Sequence, residues 1–155
     1  AESMKVSCSV IAVKNIEISK KFYETVVKQK IISDLGINVT FEGDFALQQE
    51  YSEMIGIPEN EVKQKSNNFE MYFEEEKFDD FLKKLKTMKE IKYVHDVKKY
   101  DWGQRVIRFY DPDEHIIEVG ETMENVARRF FEDGLSIEEI SEKTMLPIEF
   151  LKNCL

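Results

Sequence analysis

The chain has 155 residues, 42% of them apolar and eleven of them Phe, which predicts one substantial core rather than two large independent domains. The net charge of -9 opposes attraction to nucleic-acid phosphates and to anionic lipids, so small molecules and proteins are the expected partners. No run reaches the roughly 20 apolar residues of a membrane span, and we expect a cytoplasmic protein. Cys8 and Cys154 form no disulfide framework and are predicted to be free thiols.

The first half of the chain predicts a βαβββ unit. Residues 5–13 are rich in Val and Ile and favour a strand, whereas residues 17–27 carry apolar side chains at helical spacing. Three short β-prone runs follow at residues 30–33, 37–42 and 45–51, separated by Gly36 and by the Gly43-Asp44 turn.

The same order of elements returns in the second half. Residues 52–67 are predicted to form a connecting loop with a helical turn after Pro58. A strand at 68–74, a helix at 78–88 and strands at 91–97, 105–110 and 116–120 follow, with Asp111-Pro112-Asp113 as the turn of the last hairpin. The predicted fold class is therefore α+β, with two tandem βαβββ modules.

Two sequence motifs resemble the vicinal-oxygen-chelate superfamily, which includes glyoxalases, bleomycin-resistance proteins and extradiol dioxygenases. One is the strand-to-helix passage from Val10 to Ile16 with Ser19 and Phe22-Tyr23 after it. The other is the closing passage Trp102-Gly103-Gln104-Arg105, Phe109-Tyr110-Asp111-Pro112-Asp113 and Ile116-Ile117-Glu118. The resemblance covers residues 4–120 and implies that the two modules form a cupped mixed sheet with a small-molecule pocket, often in a homodimer.

The resemblance also implies a metal site with ligands from four strands, which correspond to Cys8, Gln48, Asn68 and Glu118. Only Glu118 clearly matches the ligands that the family uses. Mg²⁺ or Mn²⁺ would accept the three oxygen donors but not a thiolate, whereas Zn²⁺ would accept Cys8 but not neutral amides. We therefore expect no metal or other cofactor, and a divalent ion remains the alternative.

Glu118 is the tentative catalytic residue, because a carboxylate in the apolar strand 116–119 needs a cation, a donor or water. If the hairpin pairs Asp111 with Ile116, Arg105 and Phe109 lie on the same face of the sheet as Glu118. Arg105 is then a candidate ion-pair partner of Glu118. His115, beside the turn, is expected to face solvent. The predicted ligand-binding residues are Cys8, Gln48, Asn68, Glu70, Tyr72, Trp102, Arg105, Phe109 and Glu118.

Residues 121–155 form a predicted helical tail after the glyoxalase-like domain of residues 4–120. A capping box at Ser136 and Glu139 begins one of its helices, and the pattern resembles a bacterial helix-turn-helix unit. Four basic against eight acidic residues argue against DNA binding. The tail is predicted to be a docking element, packed on its own domain or across a homodimer, because Phe130 and Phe131 need an apolar cover.

The leading hypothesis is a glyoxalase-related protein that binds a small organic ligand, with enzymatic activity left open. The first alternative is a metal-dependent lyase or isomerase of the glyoxalase type, in which Glu118 binds the ion or acts as a general base. The second is a ligand-responsive transcription regulator that reads DNA with the tail.

Overall fold

The computed structural model describes residues 2–155 and divides into two compact units. The first unit contains the chain up to Phe69 together with Tyr110–His115. The second contains Glu70–Phe109 and Ile116–Leu155. Each unit carries one four-stranded mixed sheet, and the order of elements confirms the predicted α+β class and the two βαβββ modules.

The first sheet has the strand order β1-β4-β3-β2, in which β1 is parallel to β4 and the other pairs are antiparallel. Helix α1 (Ile16–Thr25) begins where the Asn15 side chain accepts the Ile18 N–H, a standard N-terminal cap. A short helix α2 (Tyr51–Ile55) and a 3-10 helix (Glu59–Glu61) lead to the second unit. The strands are β1 (Ser9–Ala12), β2 (Ile31–Asp34), β3 (Asn38–Phe41) and β4 (Phe45–Gln48).

Strand β4 is shorter than predicted, because the strand expected over residues 45–51 ends at Gln48. Glu50 has a left-handed backbone with φ of 56°, which turns the chain out of the sheet. Tyr51 therefore starts α2 instead of closing a strand. The helical turn predicted after Pro58 is present as the 3-10 helix.

Aromatic rings fill the core of the first unit between α1 and its sheet. Tyr23 and Phe41 are fully buried, and the Phe41 and Phe45 rings stack with centroids 4.9 Å apart. The Tyr23 hydroxyl donates a 2.6 Å hydrogen bond to Asp111 Oδ2. The buried phenol thereby gains the polar partner that its position requires.

The second sheet has the strand order β5-β8-β7-β6, with β5 parallel to β8. Helix α3 (Phe78–Lys86) buries one apolar stripe, and its Phe81 ring lies 6.3 Å from the Phe109 ring. Phe109 is fully buried in this core. The strands are β5 (Glu70–Glu75), β6 (Tyr93–Lys99), β7 (Arg105–Tyr110) and β8 (Ile116–Glu121).

The closing hairpin has a different register from the predicted one. The Asp111 N–H donates to the His115 carbonyl at 2.9 Å, so Asp111 is not paired with Ile116. A shift of one residue exchanges the two faces of a strand. The predicted ion pair between Arg105 and Glu118 is therefore wrong, and Arg108 occupies the place beside Glu118, 2.8 Å from it.

Arg105 lies on the helix-bearing face of the second sheet, beside α3. Its guanidinium bonds Asp79 at 2.9 Å and Glu121 at 3.1 Å and covers the Phe78 ring. Glu121 is also bound by Arg129 at 2.7 Å. Burial opposes ionisation of Glu121, but these arginine hydrogen bonds outweigh it and lower its pKa to about 2.

The tail consists of α4 (Met123–Glu132), α5 (Ile137–Thr144) and α6 (Ile148–Cys154), and the predicted capping box is present at the start of α5. Ala127, Ile140 and Leu151 are fully buried and form a small core of the three helices. The tail belongs to the second unit, which also contains β5 to β8.

Helix α4 is attached to the sheet at Gly103, which has φ of +88°. A Cβ atom there would lie 2.3 Å from the Phe130 ring, so only glycine permits this close approach. Phe130 therefore finds cover within its own unit, whereas Phe131 is 50% exposed. Both cysteines are free, as predicted. Within residues 2–155, no helix combines the length and the apolar character that crossing a membrane requires.

Candidate functional site

The face of the second sheet that lies away from α3 carries a polar and aromatic surface, which we call the open face. Strand β5 alternates between exposed and half-buried residues, and Glu70 and Tyr72 are exposed. In the parallel β5–β8 pairing Tyr72 lies beside Glu118, which is only 6% exposed. A nearly buried carboxyl group is costly unless polar groups surround it.

Arg108 connects the polar groups of the open face. Its Nε donates to Glu70 at 2.9 Å and its Nη2 donates to Glu118 at 2.8 Å. Its Nη1 donates to the Tyr100 hydroxyl at 2.7 Å and lies 3.1 Å from His95 Nε2. All three guanidinium nitrogens thus contact protein groups, and Arg108 organises the cluster.

Glu118 and Glu70 form a carboxyl pair beside this guanidinium. Burial raises the pKa of Glu118, the hydrogen bond with Glu70 raises it further, and it reaches about 7 in spite of Arg108. The pKa of Glu70 moves down, chiefly through the same hydrogen bond. Near neutral pH the pair therefore holds one exchangeable proton, with Glu118 donating to the Glu70 carboxylate. Such a pair can accept a donor from a ligand or exchange a proton with it.

Two exposed aromatic rings accompany the carboxyl pair. Tyr72 is 46% exposed and Trp102 is 38% exposed, so both rings present apolar surface on this face. Buried Gln104 links them, because it donates to the Tyr72 hydroxyl at 2.7 Å and accepts from Trp102 Nε1 at 2.9 Å. The Trp102 ring also stacks on Tyr100 with centroids 4.5 Å apart. The rings are thus held in fixed positions.

The sequence of residues 6–124 matches the model of the glyoxalase-like domain. The chain belongs to this family. The match covers both βαβββ modules and stops just after α4 begins, so most of the tail lies beyond it. This confirms the predicted relationship to the vicinal-oxygen-chelate superfamily.

Solved structures agree with the glyoxalase-like assignment. A protein of unknown function from Agrobacterium tumefaciens is 33% identical, with a TM-score of 0.67, and the match covers 79% of this chain and 97% of that one. A lactoylglutathione lyase from the same organism is 18% identical with a TM-score of 0.59, covering 79% and 96%. A glyoxalase/bleomycin resistance protein/dioxygenase family enzyme from Burkholderia phytofirmans is 13% identical with a TM-score of 0.65, covering 76% and 98%. The last two show the fold alone. No curated protein matches significantly.

Four of the predicted ligand-binding residues of this glyoxalase-like domain meet on the open face. They are Glu70, Tyr72, Trp102 and Glu118. Arg105 and Phe109 do not, because the true register places both on the helix-bearing face. The predicted ligand-binding set did not include Arg108, Tyr100, Gln104 and His95. Only the hairpin register could have revealed Arg108, since its alternation along β7 follows from that register.

The remaining predicted residues belong to the first unit. Cys8 is a half-buried thiol and Asn68 is exposed. Gln48 is 3% exposed, and its amide is already used, since Oε1 accepts from Asn38 and Nε2 donates to the Gln49 carbonyl. It fills its own hydrogen bonds within the first sheet.

The residues at the four positions implied by the family do not fit a divalent metal. The Glu118 carboxyl is already bound by the Arg108 guanidinium at 2.8 Å and hydrogen-bonded to Glu70, whereas a divalent ion needs several free oxygen donors. The Gln48 oxygen already accepts the Asn38 amide. In the described part of the chain, no group of three or more His, Cys, Asp or Glu side chains is placed to hold a metal. The chemistry of the open face is therefore derived from protons and hydrogen bonds.

The His115 side chain does not face solvent, as it was predicted to do. Its Nδ1 lies 2.7 Å from Asp111 Oδ2, and its side chain is only 22% exposed. The carboxylate of Asp111 is completely buried. A buried carboxylate attracts the nearest donor, which draws the imidazole inward from the turn.

Proposed function

We propose that the protein binds a small organic molecule on the open face, through a hydrogen-bond donor or a positive charge on the ligand. The observation that carries this proposal is the Glu118–Glu70 carboxyl pair, which lies beside the exposed rings of Tyr72 and Trp102. Arg108 directs most of its N–H groups to protein partners, which leaves the carboxyl oxygens of the pair as the main acceptors for a ligand. Tyr72 and Trp102 offer flat apolar surfaces for the body of such a ligand.

A cationic group on the ligand suits this surface better than an anionic one. Placing a cation next to the pair would favour ionised Glu118, and the proton of the pair would leave to solvent. The aromatic faces add cation–π attraction for an ammonium group. The net charge of -9 acts in the same direction at longer range.

The test uses Trp102, which is the only tryptophan in the chain and therefore a fluorescence reporter of this surface. Benzylamine should quench or shift the emission in a saturable way, and neutral benzyl alcohol should bind more weakly. Glu118→Gln should weaken benzylamine by roughly tenfold to a hundredfold, the scale of a charge-assisted hydrogen bond. Glu142→Gln, at an exposed position of α5, is the matched control and should change nothing.

Equal affinity of wild type and Glu118→Gln for benzylamine would contradict the proposal. So would a lack of saturable change with either probe. Native mass spectrometry of the purified protein would in addition reveal a retained molecule and its class.

A second candidate is proton-transfer catalysis, because Glu118 has a pKa of about 7. General acids and bases work best when their pKa is close to the operating pH. An enzyme of this kind would be a glyoxalase-type lyase or isomerase, with Glu118 removing a proton from a carbon acid. Its rate should rise with pH about a midpoint near 7 and be lost in Glu118→Gln. A pH-independent rate would contradict this role.

A further inference from the structure

The first unit contains a cavity of about 680 Å³ that has no part in the function proposed above. It lies at the carboxyl ends of β1 and β4 and is bordered by α2, the 3-10 helix and the turn of the last hairpin. Ala12, Val13, Val62 and the Tyr51 ring supply apolar wall. The volume falls in the range of about 300 to 1,000 Å³ that small-molecule sites occupy.

His115 is held at the wall of this cavity by a buried carboxylate. Asp111 Oδ2 accepts from the Tyr23 hydroxyl at 2.6 Å and from His115 Nδ1 at 2.7 Å. Asp111 Oδ1 accepts the backbone N–H groups of Asp113 and His115, each at 2.9 Å. With Nδ1 committed to Asp111, the imidazole has a fixed orientation and presents Nε2 on its other side.

His115 lines the cavity, and its Nε2 is the ring nitrogen not committed to Asp111. Within residues 2–155 it has no hydrogen-bond partner, although every fully buried polar side-chain atom there has one. Burial opposes protonation of the ring, but Asp111, aided by Asp113, outweighs it and raises the pKa of His115. The imidazolium form is thus more accessible than in a free histidine, and in that form Nε2–H is a charged donor.

The other charges of the cavity restrict its ligand. Lys14 extends an ammonium group along the wall, 3.0 Å from Gln64 Oε1. The Asp113 carboxylate accepts the Lys14 N–H at 2.9 Å and the Ser19 hydroxyl at 3.3 Å, so both of its oxygens already have protein donors. The remaining acidic side chains are exposed ones, Glu50, Glu53 and Glu59.

We infer that this cavity is a second small-molecule site, which takes a monocarboxylate with an apolar body. The carboxylate would bind His115 Nε2–H and the Lys14 ammonium, and the body would lie on Val13, Val62 and Tyr51. The exposed glutamates repel polyanions such as nucleotides, which is why a single negative charge is specified.

The test is an NMR titration of the full chain with phenylacetate, read at the imidazole resonances of its two histidines, His95 and His115. The His115 resonances should shift in a saturable way, while those of His95 on the open face serve as the internal reference. Phenylacetamide has the same shape without the charge and should bind at least about tenfold more weakly.

Two variants complete the test. His115→Gln and Lys14→Gln should each weaken phenylacetate about tenfold or more, measured by calorimetry, whereas Lys152→Gln on the exposed side of α6 should have no effect. If His115→Gln fails to fold, the affinity of Lys14→Gln for phenylacetate and the shifts of the His115 resonances still test the site. An unshifted His115, equal binding of phenylacetamide, or a shift confined to His95 would overturn the site.

Discussion

Replacing Glu118 by Gln should make the protein less sensitive to pH between about 4.5 and 7. Glu118 has its pKa raised from 4.5 to about 7, so the folded state keeps a proton that the unfolded chain loses. Its contribution to stability is complete below pH 4.5 and is lost as the pH rises through 7. The pKa difference corresponds to at most about 3 kcal/mol. The lowered pKa of Glu70 changes stability only below about pH 4.5, so it does not offset this loss between pH 5 and pH 8.

The measurement is urea unfolding of wild type and Glu118→Gln at pH 5 and pH 8. Wild type should lose stability from pH 5 to pH 8, whereas the variant, which cannot ionise at this position, should change much less. At pH 8 the variant should be at least as stable as wild type, because it avoids the buried charge. Parallel pH curves for the two proteins would refute the raised pKa and with it the protonated carboxyl pair.

Three further predictions concern the second unit and the assembly. Glu121→Gln should destabilise the fold by about 2 to 4 kcal/mol in thermal unfolding, because Arg105 and Arg129 lose the carboxylate that accepts their hydrogen bonds. Wild type should lose this contribution as the pH falls from 4.5 toward 2, and an unchanged melting temperature of the variant would contradict the prediction. Gly103→Ala should lower the free energy of unfolding by about 2 kcal/mol more than Gly134→Ala, because both glycines have positive φ but only Gly103 faces the Phe130 ring. Equal losses in denaturant unfolding would show that α4 shifts to accommodate the added Cβ atom. We expect wild type to be a homodimer in light scattering, and Phe131→Ser should weaken the dimer, because Phe131 is the large exposed ring of α4. A monomeric wild type would contradict both statements.

The order of helices and strands could be predicted because it depends on local patterns. The apolar stripe of α3, the Asp111-Pro112-Asp113 turn and the capping box of α5 are all read from neighbouring residues, and all are present. The two βαβββ modules could be predicted because the same order of elements occurs twice along the chain. The family assignment rested on two short motifs that are likewise local.

The candidate site was predicted less completely, because it depends on pairing between strands. A difference of one residue in the hairpin register exchanged Arg105 for Arg108 as the partner of Glu118 and moved Phe109 into the core. His115 was misplaced for a related reason. Its partner Asp111 is buried by the Tyr23 helix, 88 positions away in the chain, and no local pattern reports that contact.

The closing hairpin carries one arginine–glutamate pair on each face, Arg108 with Glu118 and Arg105 with Glu121. Adding or deleting a single residue in the turn at 111–115 would send each arginine to the wrong side and leave a buried carboxyl without a cation on both faces at once. Insertions should therefore be tolerated in the long connection around residues 56–69 but rejected in this turn. The two ion pairs therefore fix the number of residues in this turn.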